Sequence, residues 1–136
     1  MNYDKLNKIA NTMVQQGKGI LAADESTATC TKRFDSIGLL STESSRNAYR
    51  DILFTTSGIE KFISGVIMFD ETLRQSTLSR GIPYPEYLQT IGVIPGIKVD
   101  GGAKEFALHS GEKITEGLDD LRKRLVEYFE LGARFA

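Results

Sequence analysis

Gly19-Ile20-Leu21-Ala22-Ala23-Asp24-Glu25-Ser26-Thr27 is a short run of small and apolar residues that leads directly into two carboxylates and two hydroxyls. A short apolar run bounded by turn residues is typical of a buried strand. In parallel α/β folds the active site is built at the carboxyl ends of the strands, which is where this polar cluster falls. The stretch therefore predicts a buried parallel strand with a polar tip.

The same pattern occurs twice more, in Ile63–Phe69 before Asp70 and in Ile94–Val99 before Asp100. Apolar residues at helical spacing predict intervening helices over about 4–16, 42–56, 85–91 and 118–131, with a short helical turn at 31–34 and the start of a fourth strand at 133–136. Strands that alternate with helices indicate a parallel sheet, in a βα barrel or a doubly wound fold. The long polar segment Asp100–Gly117 is expected to be a functional or disordered loop.

The composition excludes several classes of protein. Lysine and arginine total 17 against 18 acidic residues, a net charge of −1, so nothing draws the whole chain to nucleic acid or to an anionic membrane. The single cysteine, Cys30, excludes an internal disulfide framework and fits a reducing compartment. No apolar run approaches the roughly 18 residues of a membrane helix, and the N-terminus lacks a secretory signal. We therefore expect a cytoplasmic protein without nucleic-acid or membrane partners.

Charged residues at the strand ends are the candidates for chemistry. Asp24 and Glu25 could act as a general acid or base, or one of them, or Ser26, could cap the next helix. Lys98 interrupts the apolar strand, and its side chain points away from those of its neighbours. It must pair with a carboxylate or meet a ligand if the strand is buried, or it lies in solvent if the strand is at an edge.

Arginines and the lone histidine are weaker candidates. Arg33, beside Lys32, could bind phosphate, although such pairs are usually solvated surface. Arg46 and Arg50 share a helix face and could equally be surface residues. His109, in the polar loop, has no cysteine or histidine partner that would suggest a metal site. The residues alone thus indicate an enzyme-like α/β domain and leave its ligand open, with a phosphorylated molecule as one option.

Five ordered blocks of the sequence resemble the N-terminal part of class I fructose-bisphosphate aldolase. They cover 17–27, 64–73, 94–100, 117–119 and 132–136. The resemblance implies an α/β protein of the TIM (β/α)8 barrel family. The chain would then hold the first three to four strands, and residues 1–136 would be the N-terminal portion of a single barrel domain.

The resemblance also implies a glycolytic lyase that cleaves fructose 1,6-bisphosphate into dihydroxyacetone phosphate and glyceraldehyde 3-phosphate. The family uses a lysine Schiff base and needs no metal or cofactor. By resemblance, Asp24 and Lys98 are catalytic, Ser26 and Arg33 contact the substrate phosphates, and Arg46 takes part in substrate binding. The full-length protein would be a homo-oligomer, specifically a tetramer.

The family's catalytic glutamate and Schiff-base lysine come from later strands than this chain contains. We therefore expect a truncated chain that is inactive alone and either poorly folded or self-associated. Two other functions stay open at this point. One is a different phosphosugar-processing barrel enzyme, and the other is a non-catalytic partial barrel that acts only by association.

Overall fold

The computed structural model describes residues 3–136, and its main sheet has three parallel strands. In the sheet order these are β1 (Gly19–Ala23), β2 (Ile63–Met68) and β3 (Ile94–Ile97). All three predicted strands are therefore present. Because they run in parallel, the polar residues that follow them lie at one edge of the sheet.

Six α-helices connect or flank the strands in the described part of the chain. They are α1 (Tyr3–Met13), α2 (Thr27–Asp35), α3 (Glu43–Phe54), α4 (Asp70–Leu73), α5 (Tyr84–Thr90) and α6 (Leu121–Glu130), with a short 3-10 helix at Ile59–Lys61. The four predicted helices are present, and the helical turn predicted at 31–34 belongs to the longer α2. Helix α6 begins three residues later than predicted, because Asp120 adopts a left-handed conformation with φ of 50°.

Helix α3 begins with a capping box built from two hydroxyl side chains. No Glu or Gln follows Ser41 or Thr42 by three residues, so the sequence pattern predicts no capping box, and the structure shows that this prediction is wrong. Ser45 takes the place of the glutamate: its Oγ accepts from Thr42 N–H at 2.9 Å, and Thr42 Oγ1 accepts from Ser45 N–H at 3.1 Å. The first turn of α3 is therefore fixed at both backbone donors.

The segment predicted as a long loop is mostly a β-hairpin. Strands β4 (Gly102–Glu105) and β5 (Lys113–Glu116) pair in antiparallel register. At the root of the hairpin, where its two strands leave the rest of the chain, Gly101 N–H donates to Glu116 O at 2.7 Å. The hairpin projects from the carboxyl end of β3, next to the residues that follow that strand.

The buried core lies between the sheet and helices α3 to α6. Its members are Ala23, Phe54, Val66, Met68, Leu73, Tyr84, Leu88, Val93, Ile97, Tyr128 and Ala133. The rings of Phe54 and Tyr84 meet edge to face at 5.1 Å, which joins α3 to α5. This core holds the strands, and therefore their carboxyl ends, in a fixed register.

After α6 the chain returns to the outer edge of β3. Ile97 N–H donates to Phe135 O at 3.0 Å, and Phe135 forms a parallel bridge with Gly96. A Cβ atom on Gly96 would lie 2.4 Å from the Phe135 ring, so only glycine admits this ring against the strand. The predicted start of a fourth strand is therefore present as this bridge.

Candidate active site

Asp24 and Lys98 follow the two outer strands at the same level of the sheet. Ala23 pairs with Met68 and Met68 pairs with Ile97, so the residues after β1 and β3 flank the end of the middle strand. Lys98 N–H donates to Met68 O at 2.9 Å, which keeps Lys98 in register beyond the end of β3. The register thus brings the two predicted catalytic residues to facing positions.

Lys98 lies between two carboxylates. Its Nζ donates to Asp100 Oδ2 and lies 3.6 Å from Asp24 Oδ2, and its side chain is 28% exposed. The hydrogen bond to Asp100, followed by the charges of Asp100 and Asp24, raises the pKa of Lys98. The Lys98 ammonium lowers the pKa of Asp100 in turn, with help from Gly102 N–H at 2.9 Å. Of the two alternatives for Lys98, the structure shows pairing with carboxylates.

These residues line an open cavity of about 610 Å³ at the carboxyl edge of the sheet. Its wall includes Asp24, Glu25, Ser26, Phe69, Lys98 and Asp100. The acidic residues Asp24, Glu25 and Asp100 and the amine of Lys98 therefore border a space large enough for a small metabolite.

Ser26 occupies the junction between the cavity and helix α2. It is the N-cap of α2, where its Oγ accepts from Thr29 N–H at 3.3 Å. The same residue lines the cavity. The predicted helix cap at this position is therefore present, and the hydroxyl remains close enough to the cavity to contact a ligand there.

The carboxylate of Glu25 pairs with two arginines rather than with Lys98. One carboxylate oxygen accepts from Arg33 and from the hydroxyl of Tyr49 at 3.2 Å, and the other accepts from Arg50. Burial alone would raise the pKa of Glu25, but hydrogen bonding to the backbone and the charges of Arg50 and Arg33 outweigh it and lower the pKa. Arg33 is more than half exposed. In this structure Arg33 therefore adjoins the cavity only through Glu25.

Arg46 forms a bidentate ion pair with Glu71, and neither residue lines the cavity. Its Nε donates to Glu71 Oε1 at 2.8 Å and its Nη2 donates to Glu71 Oε2 at 2.6 Å. These hydrogen bonds to Glu71 raise the pKa of Arg46. The structure thus brings Asp24, Ser26 and Lys98 to one cavity, whereas Arg33 and Arg46 are each held by a carboxylate.

Asp100 and Glu71 were not assigned a role in advance, and Arg50 was a candidate that could equally have been a surface residue, whereas the structure buries it. Asp100 had a usable signal, since it follows Lys98 by two residues and such residues share a face of an extended chain. No sequence pattern indicated the partners of Glu71 and Arg50, because each partner lies 25 positions away in the sequence. Contacts of that length depend on how the helices pack.

Two features are absent from the described residues. Within residues 3–136, no group of three or more His, Cys, Asp or Glu side chains is arranged to hold a metal ion. Across the same residues, no helix is long and apolar enough to cross a membrane.

A carboxylate beside a protonated amine can bind an anionic ligand and exchange protons with it.

The sequence profile described as class-I fructose-bisphosphate aldolase matches residues 5–136. A probable fructose-bisphosphate aldolase class 1 from Xylella fastidiosa is 54% identical over the whole chain, which spans 40% of that relative's length. Fructose-bisphosphate aldolase 1 from Toxoplasma gondii is 52% identical over 97% of the chain and 36% of its own length.

A solved structure agrees with these sequence matches. Fructose-bisphosphate aldolase from Plasmodium falciparum, crystallised with TRAP and a small-molecule inhibitor, superposes with a TM-score of 0.92 at 51% identity. The match covers 98% of this chain and 38% of the Plasmodium chain. The profile covers residues 5–136, and the Xylella relative aligns with the whole chain. This chain therefore belongs to the class-I fructose-bisphosphate aldolase family.

Proposed function

We propose that these 136 residues are the N-terminal portion of a (β/α)8 barrel that cleaves fructose 1,6-bisphosphate to dihydroxyacetone phosphate and glyceraldehyde 3-phosphate. The observation that carries the proposal is the placement of Asp24 and Lys98, 3.6 Å apart, in one cavity at the carboxyl edge of a parallel sheet. Membership of the aldolase family supports the choice of substrate.

In this proposal Asp24 handles the proton at the bond that is cleaved. A carboxylate that faces the reacting bond can take a proton from a substrate hydroxyl and return it later in the cycle. Lys98 acts as a charged hydrogen-bond donor to the substrate, since its raised pKa keeps it protonated. The Schiff base would form on a lysine from a later strand, where it would serve as the electron sink.

The substrate phosphates would be bound near the start of α2 and by arginine. Ser26 offers a hydroxyl at the N-terminus of α2, where the helix dipole favours anions. Arg33 would contact a phosphate after leaving Glu25, whose charge Arg50 would still compensate. Arg46 would have to leave Glu71 to bind substrate, so we propose its role on resemblance alone.

Cytoplasmic location and a homotetrameric full-length protein are likewise proposals from the family.

A fusion protein tests the function directly. Residues 1–136 are joined to the part of the Xylella relative that follows the matched segment, and cleavage of fructose 1,6-bisphosphate is followed by a coupled assay. The fusion should turn over substrate, and Asp24→Ala should lower kcat by about 10²–10⁴-fold, the usual contribution of a positioned acid or base.

The control is Asp35→Ala, which removes an exposed aspartate at the end of α2, outside the cavity. It should leave turnover unchanged. A fusion that folds but retains near wild-type kcat with Asp24→Ala would show that Asp24 does not carry the chemistry.

A further inference from the structure

Arg50 is a buried cation, only 2% exposed, that the proposed chemistry does not use. It reaches from the middle of α3 to the turn between β1 and α2. Its Nη1 donates to the carboxylate of Glu25, and its Nη2 donates to the backbone oxygen of Glu25 at 2.8 Å. One guanidinium therefore holds both the side chain and the main chain of the residue next to Asp24.

The surroundings of Arg50 make this attachment rigid. The guanidinium lies over the ring of Tyr49, 5.0 Å from its centroid, and Nη2 lies 3.7 Å from the sulfur of Cys30 in α2. The hydroxyl of Tyr49 accepts a hydrogen bond from Arg33 at 3.0 Å. It donates one to Glu25 Oε1 at 3.2 Å, the carboxylate oxygen that Arg50 does not bind. The turn is thus tied to α3 through backbone, carboxylate and thiol contacts.

We propose that Arg50 is a positioning residue, which holds the turn so that the carboxylate of Asp24 faces Lys98 across the cavity. The inference rests on the proposed function, because the placement of Asp24 affects turnover only if Asp24 handles a proton. A shift of about 1 Å in a reacting group can cost about 100-fold in rate. Arginine suits the task because its planar fork reaches two acceptors at once, which a lysine ammonium does not reproduce.

Three variants separate positioning from simple support of the fold. Arg50→Lys keeps the charge but cannot span the carboxylate and the carbonyl together. Glu25→Gln removes the negative charge and leaves the backbone acceptor in place. Arg74→Lys is the control, since Arg74 also binds two carboxylates, Asp70 and Glu127, but lies outside the cavity wall.

The first readout is amide hydrogen exchange of the Xylella fusion, followed in the peptides that cover residues 1–136. In Arg50→Lys, exchange in the segment 24–30 should rise about tenfold, as expected for the loss of one hydrogen bond, while exchange in β2 and α6 stays unchanged. Arg74→Lys should leave segment 24–30 as in the wild type. Unchanged exchange there in Arg50→Lys, or an equal rise over the whole chain, would overturn the proposal.

The second readout is turnover of the Xylella fusion. Arg50→Lys should lower kcat by roughly 10- to 100-fold while KM stays within about threefold, and adding Glu25→Gln should cost little more. If Asp24→Ala lowers kcat but Arg50→Lys does not, the positioning role is wrong. If Asp24→Ala is harmless, the proposed function fails, and the exchange experiment alone decides whether Arg50 holds the turn.

Discussion

Lys98 lies between two carboxylates, and this position decides what it can do chemically. The contacts with Asp100 and Asp24 raise its pKa, so the side chain is an ammonium at neutral pH. A lysine that attacks a carbonyl carbon must be neutral, which favours a lysine whose pKa is lowered. Lys98 is therefore suited to bind an anionic or hydroxylated substrate rather than to form a covalent bond with it.

Lys98→Met in the Xylella fusion should weaken substrate binding, because it keeps most of the side-chain length and removes the charge. We expect KM for fructose 1,6-bisphosphate to rise by roughly 10- to 100-fold, as for the loss of a hydrogen bond to a charged group. Lys104→Met, on the exposed hairpin, is the matched control and should leave KM unchanged. An unchanged KM in Lys98→Met would show that the ammonium does not meet the substrate.

The sequence allowed part of this site to be predicted. A charge within an apolar strand indicated that Lys98 needs a partner, and the polar tip after β1 indicated Asp24. The two arginines assigned to the substrate were harder, because each is held by a carboxylate in this structure. Nothing in the spacing of Arg46 and Glu71 signals that contact, which depends on the packing of α3 against the start of α4.

Among the elements, the three parallel strands could be predicted because each is a continuous apolar run with a polar end. The hairpin β4–β5 could not, since its strands are only four residues long, mostly polar and exposed. The capping box of α3 was missed because Ser45 performs the role usually given to glutamate. Backbone pairing and hydroxyl chemistry thus account for the elements that the apolar pattern does not reveal.

The root of the hairpin depends on a glycine at position 117. Gly117 has φ of 140°, and a Cβ atom there would lie 2.7 Å from the Cα of Asp100. Arg124 holds this root by donating to Gly117 O at 2.6 Å and to Val99 O at 3.1 Å. A side chain at position 117 would therefore push on the strand end that carries Lys98 and Asp100.

Gly117→Ala should lower the free energy of unfolding by about 2–4 kcal/mol, since it combines backbone strain with a steric clash. Gly111→Ala is the matched control, because Gly111 also has a positive φ of 83° but has open space where a Cβ would be. The control should cost about 1 kcal/mol, the strain alone. Urea denaturation of the Xylella fusion measures both, and equal losses would contradict the close approach at Gly117.

At the scale of the whole molecule, several carboxylates are held by cations. Glu25, Asp70 and Asp100 have lowered pKa values, and their main cationic partners are Arg50, Arg74 and Lys98. A carboxyl group whose pKa is lowered on folding stabilises the fold above its unfolded pKa, and this stabilisation is lost as the pH falls through the folded pKa. Protonation of any of these three carboxylates at acid pH should therefore lower the free energy of unfolding.

The chain should accordingly lose stability below about pH 4.5, the ordinary pKa of Glu25. At pH 7, Glu25→Gln should be less stable than the wild type by about 1–3 kcal/mol, the value of a hydrogen bond to a charged group. The difference should shrink as the pH falls below about 4.5 and through the lowered pKa of folded Glu25, because the carboxyl group is then protonated in both the folded and the unfolded state. Urea denaturation between pH 7 and pH 3 tests this, and a constant difference would show that the charge of Glu25 is not responsible.

Borohydride trapping tests the central claim most directly, namely that this chain supplies the proton-handling carboxylate and the binding ammonium while the Schiff base forms elsewhere. The Xylella fusion and the 136-residue chain are each mixed with dihydroxyacetone phosphate and reduced, and peptides are mapped by mass spectrometry. We predict one adduct in the fusion, beyond position 136, and none on Lys98 or any other lysine of this chain. A specific adduct on Lys98 would contradict the account, because it would show that the amine between Asp24 and Asp100 is the nucleophile.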